Sequence, residues 1–328
     1  MEENFADTTE NRIDSGISRR RFVGMSLAGG GAILASGSGA IFGAGSSISS
    51  MASNSTFKLG GDLEVKRLGF GAMRITGEGI WGWPPDRANA VKVLKRAVEL
   101  GVNLIDTADA YGPETSELLI AEALYPYPKD LVIATKGGLT RPGPGQWVPN
   151  GKPDYLKGCV DKSLKRLRLE RIDLYQLHRI DSKVPMEDSL GALKEMQAAG
   201  KIRHVGLSEV SPQEIEQARK VVPIVSVQNR YNVEDRKWDN TIEYCEKENL
   251  GFLPWSPVGG NGRLRGGGLE AVAKAHGVDV YQVALAWLLQ RSPVMLPIPG
   301  TANVQHLEDN MAAAKLKLTT EEWKSLAA

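Results

Sequence analysis

Asp106, Tyr111, Lys136 and His178 are the residues whose types complement one another chemically. A carbonyl carbon that accepts hydride leaves an alkoxide, which needs a proton from an acid poised near neutral pH. A phenol, with an ordinary pKa near ~10, is too weak an acid unless something stabilises phenolate. The ammonium of Lys136 would do so, and a buried lysine needs a carboxylate partner such as Asp106. The imidazole of His178 can hydrogen-bond the substrate oxygen and orient it. Each residue alone has a bland explanation: a turn cap, a loop aromatic, a lysine leaving a sheet, a satisfied core histidine. The joint reading rests on their positions, because three of them end short apolar runs and Tyr111 follows in the loop after Asp106.

Those runs repeat along the chain as a short apolar stretch, a loop and an amphipathic helix. They are Leu68–Ala72, Asn103–Ile105, Leu131–Thr135, Leu174–Leu177, His204–Leu207, Ile224–Val227, Gly251–Pro254 and Val294–Ile298. Between them the apolar positions follow the helical period, as in Val91, Leu94, Ala97 and Val98 before Gly101. Ser211-Pro212-Gln213-Glu214 reads as an N-cap, a proline at the first helical position and a capping-box acid. Strands alternating with helices imply parallel pairing with right-handed crossovers. Eight such units predict an α/β fold, a (β/α)8 TIM barrel over residues 56–328. The stretch "FKLGGDLEVKR" (57–67) predicts a β-hairpin closing the barrel floor, with Gly60-Gly61 as its turn. An open doubly wound sheet is the alternative, but "RLGFGAMR" is not the Gly-rich dinucleotide turn that such a sheet usually carries. In a barrel, chemistry gathers at the C-terminal strand ends, where Asp106, Lys136 and His178 fall.

The 328 residues are 42% hydrophobic and 24% charged with a net charge of +1, which argues against a general nucleic-acid binder. The basic cluster Lys165, Arg166, Arg168 and Arg171 reads as the solvated face of a helix. Neither the two cysteines nor the four histidines show ligand spacing, so no metal site is expected. Cys159 shares an apolar stripe with Leu156, Val160 and Leu164 and reads as a buried thiol.

Residues 1–50 differ in composition from the rest. Ser18-Arg19-Arg20-Arg21-Phe22-Val23 precedes a mild Gly-, Ala- and Ser-rich run, and no charge occurs between Arg21 and Lys58. The run is too weakly apolar to anchor as a membrane span. It resembles a twin-arginine (Tat) export signal, expected to be disordered, although Gly24 stands where a lysine is common. Small residues at Ser38-Gly39-Ala40 and Gly43-Ala44-Gly45 offer two cleavage sites. The alternatives are a basic leader, or an upstream extension before a start at Met51.

"NLIDTADAYG", "LVIATKGG", "LYQLHRID", "VGLSEV", "VQNRYN", "PWSPVGG" and "IPGTANVQHLEDN" together resemble the aldo-keto reductase family from about residue 57 to 326. The resemblance implies a catalytic tetrad of Asp106, Tyr111, Lys136 and His178, with NAD(P)H as hydride donor and no metal. It also implies that Ser208 and Gln228 hold the nicotinamide carboxamide, that Trp255 stacks on the ring, and that Ser256 and Val258 bind pyrophosphate. Glu209 departs from the family's usual asparagine and puts one carboxamide contact in question. "GNGRLRGGG" (260–268) could fold over the phosphates, with Arg263 or Arg265 as the cation. Thr301, Asn303, His306 and Asn310 match the segment that reads the adenosine 2′-phosphate and adenine. NADPH is the expected cofactor, with NADH also open because His306 is a poorer phosphate partner than arginine.

The expected partner is a small-molecule carbonyl substrate. Trp81 and Trp83 in "ITGEGIWGWPPD" (75–86), and Trp147 in "GGLTRPGPGQWVPNGKPD" (137–154), predict an aromatic-walled mouth, or else loops anchored on the barrel. The sequence ends with "TTEEWKSLAA", which suggests a tolerant site. The stretches "GEGIWGWPPDR" and "VALAWLLQRSP" are similar to a bacterial pyridoxal-reductase-like branch, which makes pyridoxal a candidate substrate. Two rivals stand beside reduction: an NAD(P)+-dependent sugar or polyol dehydrogenase, and a non-catalytic nucleotide sensor such as the potassium-channel β subunits resemble. The leader points to export by the twin-arginine machinery to the periplasm, with the cytoplasm as alternative. That route carries folded proteins, so a bound nucleotide could travel with the enzyme.

Overall fold

The computed structural model describes residues 55–259, 264 and 267–327. The twin-arginine-type stretch and Arg263 and Arg265 lie outside them. A hairpin comes first, β1 (Thr56–Leu59) pairing antiparallel with β2 (Leu63–Lys66). Gly60 takes φ +60°, and a Cβ there would lie 2.4 Å from the His204 ring, so both backbone and space require glycine.

Seven strands then form one parallel sheet: β3 (Phe70–Gly71), β4 (Leu104–Asp106), β5 (Val132–Gly137), β8 (Ile172–Leu177), β9 (Ile202–Ser208), β10 (Ile224–Gln228) and β11 (Gly251–Phe252). Between β5 and β8, the short pair β6 (Leu139–Thr140) and β7 (Val148–Pro149) forms a small antiparallel ribbon. The helices are α1 (Arg87–Glu99), α2 (Thr115–Leu124), α3 (Pro153–Leu167), α4 (Met186–Ala198) and α5 (Pro212–Arg219), followed by α6 (Asp239–Glu248), α7 (Gly267–His276), α8 (Val280–Arg291), α9 (Val304–Ala312) and α10 (Thr320–Ala327). At α5 the expected signal is realised: Ser211 accepts from the Glu214 backbone, Glu214 reaches back to the Ser211 N–H, and Pro212 opens the helix.

The eighth run differs from its expectation as a regular strand. Residues 294–298 make only an isolated bridge, Met295 with Phe252. Pro297 and Pro299 lack the N–H that a ladder needs, yet their carbonyls accept from Gly69 (2.9 Å) and Gly71 (3.1 Å). On the other side Phe252 N donates to Val294 O and Leu296 N to Phe252 O, each at 2.8 Å. The segment therefore bonds both edges of the sheet, β11 and β3.

Alternation along the strands explains the site. Leu104, Val132, Ala134, Leu174, Val225, Leu253 and Leu296 share one apolar cluster with Leu59, Leu63 and Val65 of the hairpin. Side chains two residues on keep the same facing. Asp106 thus follows Leu104, Lys136 follows Ala134, and Gln176 and His178 follow Leu174, which puts the polar residues above an apolar layer. Ile105 and Ile133 face the other way, into a cluster with Val93, Leu94, Leu119 and Ile120 of α1 and α2.

Candidate active site

Lys136 is fully buried, and its Nζ donates to Asp106 Oδ2 at 2.7 Å, to Thr107 O at 2.9 Å and to Tyr111 Oη at 3.2 Å. The four candidates from the sequence converge: Asp106, Tyr111 and His178 line one cavity, and Lys136 lies behind it. Burial pushes the Lys136 ammonium down, but Asp106 and Tyr111 outweigh it, so its pKa is raised. Tyr111 is raised as well, because burial exceeds the opposing pull of Lys136. His178 is held well below its ordinary value, first by burial and then by Lys136, Arg179 and Arg141. Its Nδ1 is buried without a partner. An orphaned N–H costs more than a bare ring nitrogen with water excluded, so the proton belongs on Nε2, the nitrogen that can meet a ligand.

The cavity measures about 690 Å³ and continues past the tetrad to Ser208, Gln228, Trp255, Ser256, Val258 and Gly300. Five of the expected cofactor residues therefore lie in the same space. Ser208 Oγ accepts from Arg179 at 2.9 Å, leaving its own proton for a ligand. Gln228 spends its amide N–H groups on Asp106 Oδ1 (2.8 Å) and Gln176 Oε1 (3.4 Å), so its carbonyl oxygen is the group left to accept. An amide ligand would find an acceptor and a donor here, beside the Trp255 indole and the guanidinium groups of Arg74, Arg179 and Arg230. That donor set fits a nicotinamide ring with phosphates attached.

Other expected residues fall elsewhere. Thr301, Asn303, His306 and Asn310 do not line the cavity. Asn303 caps α9, its Oδ1 accepting from Gln305 N and His306 N, while Thr301 Oγ1 accepts from Asn303 N and Asn310 is buried. Of the three mouth tryptophans only Trp147 lines the cavity, its ring 6.3 Å from those of both Tyr111 and His178. Trp81 and Trp83 lie outside the cavity lining, as the loop-anchor alternative expects. Trp83 is 45% exposed in a separate groove, with the Arg87 guanidinium 4.2 Å from its ring centre. Trp81 bridges to Gly112 and sits beside Arg141, as a loop anchor.

Three residues were missed. Gln176 donates to Asp106 Oδ1 at 3.1 Å, and its place between Leu174 and His178 in the alternation was the signal. Arg179 follows His178 and carries no such signal. Arg141 packs on Trp147 at 3.5 Å and donates to Ala110 O and Ile80 O, tying three mouth loops together. Among the described residues no group of three or more His, Cys, Asp or Glu could hold a metal ion, and no helix is long and apolar enough to cross a membrane.

A parallel αβ sheet with a buried Lys-Asp-Tyr relay and an adjoining histidine at its strand ends defines a carbonyl–alcohol oxidoreductase. Residues 67–328 match the family model described as "Aldo/keto reductase family", and the chain belongs to that family. An uncharacterised oxidoreductase of Schizosaccharomyces pombe is 51% identical over 267 residues, covering 81% of this chain and 87% of its own. The pyridoxine 4-dehydrogenase of Escherichia coli is 44% identical over 280 residues, covering 84% and 98%. Among solved structures, an aldo-keto reductase from Klebsiella pneumoniae in complex with NADPH superposes with a TM-score of 0.70 at 26% identity, covering 83% and 93%. Such neighbours imply a (β/α)8 barrel, of which the seven-stranded parallel sheet is the regular part.

Proposed function

We propose that the enzyme reduces aldehydes, pyridoxal-type aromatic aldehydes among them, to alcohols with NADPH. The observation that carries the reading is Lys136 Nζ bound at once to Asp106 and to the Tyr111 hydroxyl inside the cavity. Bound NADPH supplies the hydride. Tyr111 gives its proton to the oxygen that becomes the alcohol, and Lys136 stabilises the phenolate left behind. His178, neutral and protonated on Nε2, donates to the same oxygen and fixes its direction. Ser208 and Gln228 would hold the carboxamide, Trp255 would stack on the ring, and Ser256 and Val258 would border the pyrophosphate. Thr301, Asn303, His306 and Asn310 are assigned to the adenosine end.

The rings of Tyr111, Trp147 and His178 meet edge to face in pairs, with centroids 5.8–6.3 Å apart, which suits a flat ring. The name of the 44% identical Escherichia coli relative favours pyridoxal as substrate and the reverse oxidation as a second direction. The β1–β2 hairpin is read as the floor of the barrel, and residues 1–50 as a twin-arginine leader that takes the folded enzyme to the periplasm.

The test follows NADPH absorbance, with NADH in parallel, for residues 51–328 offered pyridoxal, a simple aromatic aldehyde and an aldose. Turnover abolished by Tyr111→Phe supports the reading. Tight nucleotide binding without turnover of any carbonyl would move it to the sensor. Unprocessed native protein found wholly in the cytosolic fraction would sink the export proposal.

A further inference from the structure

We propose that Glu209 is a positioning residue for the cofactor site: its carboxylate takes the Trp255 indole N–H and so fixes the face offered to the nicotinamide ring. This rests on the NADPH reading above. Glu209 follows Ser208 at the end of β9, and a single oxygen, Oε1, accepts from Trp255 Nε1 and from Arg230 N, each at 2.6 Å. Its own N–H donates to Gln228 O at 3.1 Å. One residue therefore ties together the ends of three neighbouring parallel strands, β9, β10 and β11, all on the rim of the same cavity.

The backbone supports a demand for this side chain. Glu209 sits at φ +58°, in the left-handed region that glycine and asparagine enter far more readily than glutamate. An unbranched acid is held there against local preference, and its carboxylate makes two short charge-assisted bonds in return. Those bonds determine what Trp255 can do. The indole is half-buried, with Arg230 5.7 Å from its ring centre, and Glu209 Oε1 is the acceptor that its N–H meets. With the acceptor, one ring orientation is selected before the cofactor arrives, which lowers the ordering cost of binding.

The carboxylate also excludes one role. A carboxylate only accepts, so Glu209 cannot donate to a carboxamide oxygen as an asparagine side chain could. Ser208 Oγ–H is then the donor to that oxygen and Gln228 Oε1 the acceptor for the amide N–H. The departure from asparagine exchanges a direct ligand contact for a fixed stacking surface.

The experiment is a double-mutant cycle on NADPH dissociation, read from the change in the nucleotide's own fluorescence on titration. Melting of the nucleotide-free proteins checks that each is folded. Glu209→Ala is expected to weaken NADPH roughly tenfold, the loss of one charge-assisted hydrogen bond. Glu209→Gln keeps a carbonyl oxygen for the indole and should stay within about threefold of the unmodified enzyme. Trp255→Phe removes the N–H but leaves a ring, and on that background Glu209→Ala should cost little more. An equal loss from Glu209→Ala with and without Trp255→Phe would overturn the proposal, as would Glu209→Gln as weak as Glu209→Ala. Failure of the unmodified chain to bind NADPH would instead overturn the cofactor reading, and this role with it.

Discussion

Gln228 donates its side-chain amide to Asp106 Oδ1 across 2.8 Å, while Lys136 holds Oδ2 of the same carboxylate at 2.7 Å. The residue assigned to the carboxamide and the lysine assigned to the proton relay are thus coupled through one acid. Cofactor binding and acid strength are linked in the geometry itself.

That coupling separates two substitutions. Gln228→Leu removes a donor from a buried carboxylate, a loss of about 1–3 kcal/mol, and should lower kcat as well as NADPH affinity. Ser208→Ala removes the donor to the ligand and the acceptor for Arg179, leaves the hydrogen bonds of Asp106 in place, and should raise KM for NADPH with kcat nearly unchanged. Steady-state kinetics with varied NADPH distinguishes them. Equal behaviour of the two variants would show that Gln228 does not transmit to Lys136.

The acid and the orienting base have pKa values pushed in opposite directions. His178 lies well below its usual range, through burial and then Lys136, so it is neutral at neutral pH. Tyr111 is raised, through burial, so it keeps its proton. The expected profile of kcat/KM for carbonyl reduction is flat between about pH 6 and pH 8, without a limb near the ordinary histidine pKa. Tyr111→Phe should lower kcat by roughly 10²–10⁴ while NADPH still binds. An acid limb near about pH 6.5 that His178→Asn removes would contradict the assignment.

Asp109 gives a stability effect of definite sign. Burial, then the nearby Glu117, raises its pKa from 3.8 to about 7, and its Oδ1 is buried without a partner. The folded state therefore holds the proton more tightly than the unfolded chain. Its stabilising contribution is complete below pH 3.8 and is lost progressively as pH rises to about 7. Asp109→Asn should flatten the fall of Tm across that window and melt higher than the unmodified protein at about pH 8, where Asp109 is buried as an anion. Thermal melts at several pH values decide it, and parallel curves for the two proteins would refute the shift.

How much was legible follows from periodicity. Asp106, Lys136 and His178 were readable because each continues the alternation of a buried strand, where facing is set by counting in twos. The capping box at Ser211 was readable because its partners lie three residues apart. The place of Trp83 in a separate groove is not legible in the sequence, because a loop side chain has no period to fix its direction. The tie among Glu209, Arg230 and Trp255 was invisible for another reason, since only the parallel pairing of β9, β10 and β11 brings those residues together. The eighth run reads as a strand from its apolar composition, and Pro297 within it and Pro299 just beyond it reduce it to a bridge.

Arg67 carries the last prediction, because it fastens that proline-broken segment. It is 6% exposed, and it donates from Nε to Met295 O at 3.2 Å and from its terminal nitrogen to Leu289 O at 2.6 Å and to Ser292 O. Burial lowers its pKa to about 10, so it remains charged at neutral pH. Two of the three carbonyls belong to the last turn and C-cap of α8, where a cation also meets the negative end of the helix dipole. Arg67→Met would strand those acceptors in the core at a cost of about 2–4 kcal/mol, lowering Tm by roughly 4–12 °C for a chain of this size. Arg67→Lys keeps the charge but not the planar fork that spans three carbonyls, and should recover only part of the loss. The tetrad is built on other strands, so activity well below the melting temperature should be retained. Calorimetry on the three proteins is the check: an Arg67→Met protein melting within about 1 °C of the parent would mean that the hydrogen bonds of Gly69, Gly71 and Phe252 hold the segment without it.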